Sequence, residues 1–217
     1  ATANLVTFSG LTSNNSNYSL AGTQAATITP AALTMTAQNA SKLIGQADPS
    51  FTATYSGFVN GETAAVLSGV GVTRTGSDTA ANTYTGVLVP TASSTNYTIT
   101  PVNGNFTIVP ADTLLVTLGN ASKAYGANVS GLSATAAQYV TSGNVLRTVT
   151  LTAGANGSYT FDDGLGTSGS FMVGTSASSA SGVGNYGITL SNFVKTGSNF
   201  TSQTSQAGNL VVNPLAV

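Results

Sequence analysis

Short runs in which apolar or β-branched residues alternate with hydroxyls recur along the chain. Examples are Phe51-Thr52-Ala53-Thr54-Tyr55, Tyr97-Thr98-Ile99-Thr100, Leu146-Arg147-Thr148-Val149-Thr150-Leu151 and Leu210-Val211-Val212. A two-residue period sends alternate side chains to opposite faces, and Gly, Asn, Ser or Pro bounds each run, so the pattern predicts strands. One stretch departs from it. Asn60-Gly61-Glu62-Thr63-Ala64-Ala65-Val66-Leu67-Ser68-Gly69 offers a cap, an acid in the first turn, alanines and a terminal glycine, which predicts one short helix near 61–68. Asn103-Gly104, Asn156-Gly157 and Asp163-Gly164 lie between strand candidates and predict hairpin turns. No apolar run reaches the ~18 residues that cross a bilayer, and Ala1 to Phe8 carry no charged leader region, so no membrane insertion is expected. The chain reads as mature, or as cut from something longer.

The alternating runs repeat as a set. Asn17-Tyr18-Ser19-Leu20 recurs as Asn96-Tyr97-Thr98-Ile99 and as Asn185-Tyr186-Gly187-Ile188, and each copy is followed by a β-rich run ending in Pro30, Pro110 or Pro214. After the first two prolines the chain restarts alike. Leu33-Thr34-Met35-Thr36 leads to Asn39-Ala40-Ser41-Lys42, and Leu115-Val116-Thr117-Leu118 leads to Asn120-Ala121-Ser122-Lys123. A period of roughly 80 residues is too long for a solenoid rung and suits a small β domain. Boundaries at Pro30 and Pro110 give residues 1–30 as the closing half of a preceding repeat, 31–110 as a complete repeat, and 111–217 as a longer one. The fold class is mostly β: tandem small domains, either immunoglobulin-like sandwiches or β-grasp-like with the 61–68 helix on one face. Proline fixes φ and keeps a short linker extended, so the domains are expected to stack as an elongated rod.

Composition narrows the chemistry. The 217 residues hold five Lys and Arg, six Asp and Glu, and no His, Cys or Trp; charged residues make up 5% of the chain. Without His or Cys there is no proton shuttle near neutral pH, no thiolate and no soft metal ligand, so no catalytic residue and no cofactor are expected. A net charge of −1 with scattered cations gives no footprint for nucleic acid. Solvation falls instead to 35 Thr, 26 Ser and 19 Asn.

The residues then carry a likeness. Ala31-Ala32-Leu33-Thr34-Met35-Thr36-Ala37, Asn39-Ala40-Ser41-Lys42-Leu43-Ile44-Gly45-Gln46-Ala47-Asp48-Pro49 and Phe51-Thr52-Ala53-Thr54-Tyr55-Ser56-Gly57-Phe58-Val59-Asn60-Gly61-Glu62-Thr63 together resemble an MBG-type repeat, with Ile44 where the pattern usually has Tyr before Gly. Ala121-Ser122-Lys123-Ala124-Tyr125-Gly126 and Gly182-Val183-Gly184-Asn185-Tyr186 are similar to YDG-type repeats, and residues 1–30 look like the end of one. The resemblance implies tandem repeats of large bacterial surface proteins, including filamentous-haemagglutinin-like adhesins, and so a place on the cell surface or in the medium. It implies no activity, because such repeats often form the stalk that presents a tip held elsewhere.

Few residues remain as candidate sites. Asp162 and Asp163 are the sole adjacent acids; a calcium site there would need backbone carbonyls to fill its coordination sphere, and the alternative is an Asp-Gly hairpin turn. Asn-x-Ser/Thr occurs at Asn14, Asn17, Asn39, Asn96, Asn105, Asn120, Asn128, Asn156 and Asn199, which makes these the N-glycosylation candidates. Lys42 and Lys123 occupy like places near Asp48 and Asp112 and read as lysines covering strand ends. Thr-x-Thr pairs such as Thr148/Thr150 follow from strand alternation. The leading expectation is a non-catalytic stalk of a bacterial adhesin whose partners are adjacent repeats, with a host or matrix glycan or protein as the distal partner. The alternatives are a filament subunit completed by strand exchange through residues 1–30, and a glycan-binding, lectin-like domain.

Overall fold

The computed structural model describes residues 29–215, together with the backbone of β1 (Ala3–Val6) and β2 (Gln24–Thr27), which pair antiparallel. From Ala31 onward the strands form two units of two sheets each. The first unit comprises β3 (Ala31–Ala37), β4 (Ala40–Leu43), β5 (Ala53–Ser56), β6 (Ser68–Arg74), β7 (Asn82–Ser93), β8 (Tyr97–Val102) and β9 (Gly104–Val109). Its sheets have the orders β5-β3-β8 and β4-β9-β7-β6. The second unit comprises β10 (Thr113–Leu118), β11 (Ala121–Ala124), β12 (Ala134–Val140), β13 (Leu146–Thr148), β14 (Thr150–Ala153), β15 (Ser158–Asp162), β16 (Ser168–Thr175), β17 (Gly184–Thr196), β18 (Ser202–Gln206) and β19 (Gly208–Asn213). Its sheets have the orders β13-β12-β10-β18 and β11-β19-β17-β16-β15-β14.

The two orders superimpose once β13, β14 and β15 are set aside, and these three strands account for the greater length of 111–217. In both units the first segment of chain runs through the small sheet and then the large one. It is followed side by side, in the same direction, by the last segment: β3 and β4 pair parallel with β8 and β9, as β10 and β11 do with β18 and β19. Both segments change sheet at the same level. Asn39 Oδ1 accepts from the Asn105 amide at 2.7 Å, and Asn120 Oδ1 from the Asn209 amide at 2.8 Å.

Alternation sets the core. Leu33, Met35 and Ala37 of β3 are buried while their neighbours are not, and Leu114, Val116 and Leu118 of β10 hold the same places. Ala37 packs with Ala40, Leu88, Phe106 and Ile108 of the facing sheet. In the second unit Leu114, Val116 and Tyr139 face Phe161, Phe171, Ile188 and Leu210, with the rings of Tyr159 and Phe171 stacked at 5.4 Å. Pro101 sits on the edge strand β8, where its missing N–H breaks no second ladder.

Several sequence expectations are corrected. The helix near 61–68 is a single 3-10 turn, Ala64–Val66, capped by Thr63, after which Leu67 is already extended. Those three residues bury nothing, and Glu62 accepts the Tyr97 hydroxyl instead of serving a helix start, so tertiary contacts override propensity. The run Leu146–Leu151 is two strands. The chain leaves the small sheet after β13, turns inward at the buried Val149, and joins the large sheet as β14. Asn156-Gly157 and Asp163-Gly164 do close hairpins, whereas Asn103-Gly104 carries the chain from one sheet to the other. Gly104 is needed there for room, since a Cβ would lie 2.7 Å from Ala37 O; at Gly208 it would lie 2.1 Å from Gly119 O. The recurring Asn-Tyr also marks different strands. Tyr97 begins β8, but Tyr186 lies in β17 and matches Tyr84 of β7, each hydroxyl donating to a carbonyl four residues upstream, Gly182 and Ala80. Gly208→Ala is expected to lower stability by about 1–3 kcal/mol through overpacking at the crossing, read as a reduced urea midpoint.

Candidate functional site

The two units meet at a joint between β9 and β10. Only Pro110, Ala111 and Asp112 separate the two strands. Asp112 takes a left-handed conformation, φ 57°, which an aspartate tolerates because its short side chain bonds locally. Its amide donates to Val140 O at 2.7 Å, its carbonyl accepts from the Thr201 amide and hydroxyl, and Oδ1 accepts from the Ser142 amide at 3.0 Å. Two segments of the second unit, 140–142 and Thr201, thereby fix the linker's last residue.

Apolar residues close the joint. Leu43 and Val109 at the end of the first unit pack with Leu115 and Val140 of the second, and all four are at most 7% exposed. Ile44 lies against this group, and its amide extends the β4–β9 ladder to Val109 O at 2.9 Å. The Ser41 amide donates to Gln206 Oε1 at 3.3 Å across the joint, and Gly45 approaches Asn144 Oδ1 so closely that a Cβ would meet it at 3.1 Å. Beside the contact runs a cleft of about 380 Å³ whose walls include Ser41, Lys42, Gln46, Gln138 and Gln206. Its polar side chains are amides, the hydroxyls of Ser41 and Thr117, and one ammonium already held by Asp48 at 2.6 Å. The serine hydroxyl has no base to activate it there. Sequence reasoning found the linker's Pro110 but missed Leu43, Leu115 and Val140 as joint residues. An outward-facing Leu115 beside inward-facing Leu114 was the available signal.

The second unit repeats the same terminus. Tyr125 occupies the place of Ile44, and its amide donates to Asn213 O at 2.8 Å as Ile44's does to Val109 O. Tyr125 is 50% exposed.

The lysines diverge. Lys42 and Arg74 both bind Asp48, and the Arg74 guanidinium lies 4.6 Å from the centre of the Phe106 ring. Lys123 is 6% exposed and donates to Ala127 O at 3.1 Å, not to Asp112, whose oxygens serve the linker. Val129 stands where the first unit has Asp48.

Asp162 and Asp163 organise the turn between β15 and β16. Asp162 Oδ1 accepts from the Gly164 amide at 2.8 Å. Asp163 Oδ1 accepts from the amides of Leu165 and Thr167, and Oδ2 from Asn199 Nδ2 at 2.8 Å and the Tyr139 hydroxyl at 3.2 Å. Burial acts to raise the Asp163 carboxyl, but these four donors outweigh it and hold it below the usual carboxylate range. The glycosylation candidates scatter. Asn39, Asn105 and Asn120 spend their side-chain oxygens on backbone amides, and Asn199 spends its Nδ2 on Asp163 and Leu165. Asn96, Asn128 and Asn156 are exposed, and Asn14 and Asn17 lie outside the described residues.

Because the folded Asp163 carboxyl is depressed, its contribution to stability is present above the ordinary value of 3.8 and is lost as pH falls through the lower folded value. Urea midpoints between pH 7 and pH 3 should therefore fall more steeply for the wild type than for Asp163→Asn, which cannot titrate.

Residues 33–107 match the family model of the MBG domain, YGX type. No curated protein matches the chain. The matched segment spans the first unit from β3 to β9, and the second unit repeats its strand order. From Leu33 to Thr107, therefore, this chain is similar to an MBG domain of the YGX type.

Proposed function

We propose that the chain is a stiff, non-catalytic stalk segment of an extracellular bacterial adhesin, built from immunoglobulin-like sandwiches placed end to end as a rod. Residues 111–217 are read as a longer, YDG-type repeat and residues 1–30 as the close of a preceding one. The observation that carries the reading is the parallel course of the first and last segments in each unit. Ala31 is level with Tyr97 and Leu43 with Val109, so the chain comes in at one end of the unit and goes out at the other. A three-residue linker and a closed apolar joint then hold successive units at a fixed angle. Neutral hydroxyl and amide surfaces suit this setting because their solvation changes little with salt. The adjacent partners are further repeats, and a host or matrix glycan or protein is met by a tip elsewhere.

A second reading has its own observation. β1 and β2 form a sheet of two strands with no third beside them among the described residues. Such a sheet offers edges that a neighbour's strand could complete, which would make the chain a filament subunit.

Small-angle scattering with light scattering separates the two. A stalk segment should remain a monomer near 21.4 kDa at all concentrations. Its radius of gyration should be about 25 Å, against about 17 Å for one compact globule of this length. Growth with concentration would overturn the stalk in favour of the filament. Leu115→Ser should loosen the joint, broadening the distance distribution while costing less stability than the ~2–5 kcal/mol of a large-to-small change in a core.

A further inference from the structure

We propose that each unit is a shear clamp: tension along the chain is carried by the parallel ladders β3–β8 with β4–β9, and β10–β18 with β11–β19, and is resisted by a steric latch where the segments change sheet. The first and last segments lie side by side and leave the unit at opposite ends. Pulling the chain therefore slides one segment along the other. In that geometry all the hydrogen bonds of a ladder are strained together, whereas separating the strands from one end would strain them in turn. The antiparallel hairpins β6–β7 and β15–β16 lie outside this path and carry little of the load.

The latch follows from two glycines. Tension draws the last segment toward its exit, so an in-phase slip of two residues would bring Val102 to the place of Gly104, and Gln206 to that of Gly208. Neither place admits a Cβ, which would lie 2.7 Å from Ala37 O in the first unit and 2.1 Å from Gly119 O in the second. Asn39 and Asn120 tie the same level through the Asn105 and Asn209 amides. The buried side chains of β9 and β19, Phe106, Ile108, Leu210 and Val212, would also have to leave their sites. Slipping is thus blocked before the ladders part, and the barrier to forced opening is placed where the load arrives.

The proposal rests on the stalk reading only for the direction of load, which runs from end to end. The test is single-molecule stretching of the full chain, whose lack of cysteine allows handles at chosen sites. Handles on Thr29→Cys and Leu215→Cys load both units in shear. Handles on Thr29→Cys and Asn96→Cys pull apart the adjoining ends of β3 and β8, where the Ala31 amide meets Asn96 O. The first unit is expected to open at a several-fold higher force in the first arrangement. Equal forces would overturn the clamp.

Three further variants separate the latch from mere stability, all pulled end to end. Asn39→Ala should lower the opening force of the first unit, and Asn39→Asp, which keeps an acceptor, should restore much of it. Val72→Ala, in β6 and away from the path, should lower the urea midpoint and leave the force nearly unchanged. If Val72→Ala lowers the force as much as Asn39→Ala, force follows stability and the latch is refuted. A compact shape in scattering would instead remove the stalk while leaving any directional difference in force intact.

Discussion

The close passage of two backbones at the sheet change governs the rest of this fold. The last segment of each unit can cross beside the first only where a residue has no side chain, at Gly104 and Gly208. Once that crossing is fixed, both long segments must run in the same direction, and each sheet receives one parallel pair at or near its edge. Core alternation then leaves Leu33, Met35 and Ala37, or their counterparts in β10, pointing at the opposite sheet. The joint depends on it too, because the end of β9 is brought beside the end of β4 and the two furnish Val109 and Leu43 together.

Charge is used sparingly and internally. Asp48 gathers Lys42 and Arg74 over Phe106, Asp112 fixes the linker, Asp163 ties the β15–β16 turn to Asn199 and Tyr139, and Glu62 holds Tyr97. Among the described residues, no buried side-chain nitrogen or oxygen lacks a partner. Charged groups that most proteins spread over the surface serve here as ties between loops and strands. Hydroxyls and amides are left to meet water, which is affordable because strands place every second side chain outward.

Strand positions were legible because alternation is a local signal. What sequence could not give was pairing. Leu146–Leu151 reads as one strand by period alone, and only the pull of the core on Val149 divides it between two sheets. Asn103-Gly104 has the letters of a hairpin, yet its glycine answers a contact with Ala37, more than sixty residues away. The 61–68 segment has helix-forming residues but no apolar stripe to bury, so a local preference had nothing to hold it. Tyr97 and Tyr186 share a tetrapeptide context and occupy different strands, a coincidence made easy by a chain so rich in Asn, Ser and Thr. The joint was half legible: Pro110 was visible, whereas the matching of Leu43 with Leu115 and Val140 is a property of two surfaces.

The three strands β13, β14 and β15 add breadth without height. They are spliced between β12 and β16 and attach to the lateral margins of both sheets, while the strands that bring the chain in and take it out keep their lengths to within one residue of those in the first unit. A repeat built this way separates two quantities that most folds change together. Its girth can grow by insertion, yet its rise along the chain stays constant, so thick and thin repeats can alternate in one array without altering the spacing of whatever the array displays.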